Sequence, residues 1–167
     1  MATGNRSPQP GDGAERDILT GWLAFHRDAL SAKCDGLTDE QLVERAVEPS
    51  TLSLLGLVRH MAEMERAYGV WALGPQADLE WVWGSYENDA EDDIDCDVTM
   101  VAESMRVWQG EIRKTDDALG SHPSWDELCD GNGFSVRWNL VKLIGEYARH
   151  NGHADLIRER IDGQTGE

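Results

Sequence analysis

The chain has 167 residues, 40% of them apolar, and a formal net charge of −17. That length suits one domain around one core, and the charge repels nucleic acid and anionic lipid, which removes nucleic-acid binding as a working hypothesis. No apolar run approaches the roughly 18 residues of a spanning helix, and the opening MATGNRSPQPGDGAERD lacks an apolar signal region, so a soluble, cytoplasmic protein with no membrane partner is expected.

Residues 1–13 are rich in Pro, Gly and polar residues and read as a disordered tail before a domain over 14–167. A first helix is expected from Ala14 to Lys33, with Ile18, Leu19, Trp22, Leu23, Ala29 and Leu30 at helical spacing. Gly36 stops it. Thr38 and Gln41 match a capping box and open a short helix to about Ala46, ended by Pro49. The second long helix starts at Ser50 or Thr51, both good N-caps, and runs to Leu73, where Gly74-Pro75 breaks it.

The long connection that follows contains Val82 and Trp83, a weak strand signal. Its tip, residues 87–97, carries seven acids in eleven residues. Asp93, Asp95 and Asp97 imitate the start of a calcium loop, but Val98 stands where Gly is needed and Ser104 where Glu is needed. The tip therefore reads as a solvated acidic loop. A third helix covers Thr99 to Leu119. SHPSWDELCDGNG contains a short helix capped by Ser124 and Glu127, and Gly131 and Gly133 follow no strand, which argues against a phosphate loop. The last helix begins near Ser135, reaches Ile161 and stops at Gly163. Four long amphipathic helices in one small domain make an all-α four-helix bundle.

The chemistry concentrates on two of these helices. On the last, Val136, Leu140, Leu143, Tyr147, His150, Ala154, Ile157 and Ile161 form an apolar stripe that includes a histidine. At about 100° per residue, Glu146, His150 and His153 share one inward sector. On the second long helix, His60 interrupts the stripe Ser53, Leu57, Met64, Ala67 and Trp71, and Glu63 lies one turn further on. A buried imidazole needs partners, and a divalent metal supplies them. Zn, Ni and Fe all suit such ligands, and helical spacings of three or four residues bring two ligands to one ion. A di-iron carboxylate site fits badly, because it needs paired Glu-x-x-His motifs.

The other candidates are weaker. His26 reads as a core histidine of the first helix, and His122 as an exposed loop residue. Cys34, Cys96 and Cys129 are odd in number and lack paired spacing, so they read as incidental thiols.

The stretches KCDGLTDEQLVERAVEPSTLSLLGLVRHMAEMER and RWNLVKLIGEYARHNGHADLIRERIDGQTGE resemble the actinobacterial mini-circle-protein branch of the DinB/YfiT-like superfamily, related to mycothiol-dependent enzymes. The resemblance runs from about residue 14 to the end. It implies helices in up-down-down-up order, a homodimer, and one divalent metal held by a second-helix histidine, matched by His60, with two ligands from the last helix. Those two are His150 and His153, or Glu146 and His150. Relatives often have His at the place of Lys142 and Glu at that of Gly145. The implied activity is transfer of a small-molecule thiol, such as mycothiol, to an electrophile, with the metal holding the thiolate. Glu63 would then orient a ligand or accept a proton. The alternatives are a non-catalytic metal or small-ligand binding protein of the stress response, and a bundle whose histidines are only hydrogen-bonded.

Overall fold

A computed structural model describes residues 7–74, 78–84 and 93–165. Its helices are α1 (Glu15–Cys34), α2 (Asp39–Leu42), α3 (Leu54–Met64), α4 (Val101–Ser121) and α5 (Val136–Asp162). A π-helical segment, Glu65–Trp71, continues α3, and a short 3-10 turn, Val98–Met100, leads into α4. No strand forms among the described residues; one isolated bridge joins Leu128 and Ser135.

Pairs of contacting residues give the helix directions. Arg137 bonds Glu15, Asn151 bonds the His26 carbonyl and Arg158 bonds the Lys33 carbonyl, so α1 and α5 run parallel. His60 meets His150, Glu65 meets Tyr147 and Tyr68 meets Lys142, so α3 and α5 are antiparallel. Arg59 reaches Ser104 and Arg66 reaches Glu111, so α4 runs parallel to α3. The order is up-down-down-up.

The core comes from one stripe of each helix. Leu23 and Leu30, Leu54, Leu57 and Met61, Trp108, and Leu140, Leu143 and Tyr147 are each at most 2% exposed. A polar cluster ties all four helices together inside this core. Arg27 of α1 makes two bonds to Glu65, at 2.7 and 2.8 Å. The Tyr147 hydroxyl of α5 donates to Glu65 at 2.7 Å and accepts from the Trp108 indole of α4 at 2.8 Å. Glu65 opens the wider π turn, which presses onto α4: a Cβ on Gly69 would lie 2.0 Å from Thr115 Oγ1.

Several boundaries differ from the sequence expectation. The capping box at Thr38 and Gln41 forms, but α2 lasts a single turn. α3 starts later than Ser50: Ser50 spends its hydroxyl on the Leu52 N–H, and Ser53 caps the helix through the Gly56 N–H. α4 is entered from Asp97, whose carboxylate accepts from the Thr99 N–H. The short helix at Ser124 is absent. The Cys129 N–H bonds the Phe134 carbonyl and the Val136 N–H bonds the Glu127 carbonyl, which diverts N–H groups a helix would need into a loop turned by Gly133 at φ 74°. Residues 7–13, expected as tail, lie along α1, with the Ser7 N–H on the Asp28 carboxylate and Pro10 packed where Gly21 has no Cβ. Residues 1–6 and most of the acidic tip lie outside the described residues.

Candidate metal centre

α3 and α5 cross where the sequence places its inward histidines. His60, Glu146 and His150 each offer a ligand atom, and these atoms all lie within 4.8 Å of one another. The His60 and His150 rings are 4.6 Å apart. Glu146 is 5% exposed, and the side chains of His60 and His150 are 21% and 13% exposed. The cluster is therefore largely shielded, with both imidazoles in partial contact with solvent.

Each member has a partner that prepares it as a ligand. His60 Nδ1 lies 2.8 Å from Asp93 Oδ2. A carboxylate only accepts, so Nδ1 carries a hydrogen and Nε2 is the nitrogen left to face an ion. His150 Nε2 faces Glu146 at 3.5 Å, and its Nδ1 faces His153 Nδ1 at 3.3 Å. Burial first, then the neighbouring His60 and His153, push the His150 pKa down to about 4, so its ring is neutral at pH 7. Burial raises the Glu146 pKa, but the Lys142 hydrogen bond and charge, with Arg149 and His150, outweigh it and hold the carboxylate below its usual range. Two imidazoles and one carboxylate are a donor set suited to a divalent ion with open positions.

The remaining candidates fall in different places. His153 stands on the far ring nitrogen of His150, outside the converging set. Glu63 is 1% exposed, and its carboxylate accepts the N–H groups of Val82, Trp83 and Gly84 at 3.1, 2.7 and 3.1 Å. The weak strand signal at Val82 and Trp83 is thus a loop strapped to α3. The His26 ring sits among Trp22 and Phe25 on α1, its carbonyl accepts from Asn151 of α5, and it is not a member of the converging set. His122 is not an exposed loop residue: its side chain is 18% exposed and Nε2 donates to the Leu73 carbonyl at 2.8 Å. Burial pushes the Cys34 thiol up to about 12 and raises that of Cys129, so neither is a nucleophile at neutral pH.

Two residues escaped the sequence reading. Asp93 was expected in solvent, but its side chain is 16% exposed and turned to His60. Lys142 stood out only as a departure from relatives, yet it bonds Glu146 and lies 5.6 Å from the Tyr68 ring. Lys142 is legible by its four-residue spacing from Glu146, the ion-pair distance on a helix. Asp93, in a loop, has no such signal.

Among the described residues, no helix is long and apolar enough to cross a membrane. No curated protein and no solved structure matches the chain. Comparison with family models matches residues 18–163 to the mycothiol S-transferases, a DinB-like family, which bears out the resemblance to mycothiol-dependent enzymes; the chain belongs to the mycothiol S-transferase family.

Proposed function

We propose that the protein is a divalent-metal-dependent S-transferase that conjugates mycothiol to an electrophile, with His60, Glu146 and His150 as ligands. The observation that carries this reading is the convergence of those three residues within 4.8 Å in a chain of this family. A divalent ion bound there supplies acidification of a thiol, so that thiolate exists at neutral pH. The chain's residues provide the rest. Burial keeps His150 neutral, so its lone pair needs no deprotonation. Lys142, with Arg149, keeps Glu146 anionic. The thiol proton passes to solvent water, and the sulfur then forms a bond to the electrophilic carbon as the leaving group departs with its electron pair.

In this reading Glu146 is the third ligand and His153 supports His150 from outside. Glu63 holds the 82–84 loop and takes no part in proton transfer. The test is metal analysis of protein purified without a polyhistidine tag, followed by incubation with mycothiol and monochlorobimane. Substituting alanine at His60, Glu146 or His150 should abolish stoichiometric metal, and His153→Ala should retain most of it. Full metal content in the His60 and His150 variants overturns the site. Metal without acceleration over the metal-free protein makes it a binding protein.

A further inference from the structure

We propose that Asp93 is a positioning residue for His60, set in place by the helix that carries His60. This rests on reading His60 as a metal ligand. A free imidazole divides its hydrogen between two nitrogens, and a ligand needs one of them bare. The 2.8 Å contact between Asp93 Oδ2 and His60 Nδ1 fixes the hydrogen on Nδ1, orients the ring and increases the basicity of Nε2.

Asp93 lies 33 residues from His60 in sequence, so its placement needs its own anchors, and α3 provides them. Arg59 Nε donates to the Asp93 carbonyl at 2.8 Å. The Arg59 guanidinium also lies over the Trp83 ring, 4.2 Å from its centroid. Trp83 is held in turn, because its N–H donates to Glu63 at 2.7 Å. Next to Asp93, the Ile94 carbonyl comes so close to α3 that a Cβ on Gly56 would lie 2.8 Å from its oxygen. Gly56, Arg59, His60 and Glu63 are spaced by three, one and three residues and share one face of the helix. The same face thus presents the ligand and seats the carboxylate that orients it. Glycine is an unfavourable helix residue, and at position 56 close approach of the 93–97 segment requires it.

The experiment uses two variants that leave all three ligands intact, Asp93→Asn and Gly56→Ala, with His60→Ala as reference. Zinc affinity is measured by competition with a chromophoric chelator. The tautomer of His60 is read by ¹⁵N NMR in metal-free protein over a pH series, on the deprotonated ring that the series itself identifies. Native protein should show the hydrogen on Nδ1. Asp93→Asn should bind zinc about 10- to 100-fold more weakly and lose that tautomer preference. Gly56→Ala should weaken zinc in the same direction by displacing the 93–97 segment, despite its better helix propensity. A His60→Ala protein that binds zinc like native protein defeats the ligand reading alone, since the tautomer still decides whether Asp93 orients His60. Where His60→Ala loses zinc but Asp93→Asn keeps native affinity and tautomer, the positioning role is refuted. An unstable variant does not obscure the result, because the tautomer is measured only on the folded signal.

Discussion

Replacing Glu65 by Gln should cost about 3–5 kcal/mol of folding stability. The two side chains are nearly isosteric, so the substitution removes a charge and little volume. Glu65 is 0% exposed and Arg27 is 7% exposed. Without the carboxylate, Arg27 keeps one counter-charge, Asp116 at 2.7 Å, whose side chain is 57% exposed and therefore screened. The cost is that of a buried guanidinium with an uncompensated charge, plus the weakened bond from Tyr147. For a chain of this length, about 2–4 °C per kcal/mol converts that to a fall of roughly 6–20 °C in Tm. The paired replacement Arg27→Met with Glu65→Leu should cost far less, because an apolar pair of similar volume carries no stranded charge. Urea titration followed by circular dichroism measures both. A loss below about 1 kcal/mol for the single variant, or equal losses for single and paired variants, would refute the argument that the charge is what Glu65 contributes.

Other consequences follow from the site and its surroundings. His150 has a folded pKa of about 4 against 6.5 in the unfolded chain, so the unfolded state binds more protons between those values. Its contribution is complete above the unfolded value and is lost as pH falls from 6.5 toward 4, by up to about 3 kcal/mol in metal-free protein; His150→Gln should flatten that limb of a stability–pH curve. Lys142→Gln should tighten zinc binding, since the ammonium competes with the ion for Glu146. The gain is on the order of 1 kcal/mol at a half-exposed position, read by the same chelator competition. An alkylating reagent followed by mass spectrometry should label Cys96, which is half-buried, before Cys34, which is 8% exposed and carries a thiol raised to about 12; labelling of Cys34 at the Cys96 rate would contradict the burial argument.

The parts of the fold that were legible are those written in helical period. The α5 stripe from Val136 to Ile161 marks a core face, and Glu146 and His150 appear on it because a helix converts spacing into direction. Pairing with His60 follows from two stripes each containing one histidine. Less legible were features whose partners lie across a loop. The Ser53 cap was hidden because Ser50 and Thr51 are equally good cap residues. The π segment has no periodic signature, since its cause is tertiary: a buried Glu65 and a glycine pressed on Thr115. Asp93 looked like one of many acids in a charged tip, and its contacts with Arg59 and His60, made as that segment approaches Gly56, distinguish it. Glu63 was legible as a carboxylate one turn beyond His60, but its burial and its use were not, because its partners are backbone N–H groups.

An up-down-down-up bundle obliges one connection to travel the length of the molecule, here between Leu73 and Val98. α3 fastens that crossing twice, through Glu63 at 82–84 and through Arg59 and His60 at Asp93. For a polymer this divides one long closure into shorter ones, each less costly in entropy. It also joins the anchored residues 82–84 and 93 to α3, so these and α3 should open together in amide exchange, more slowly than an unfastened surface loop.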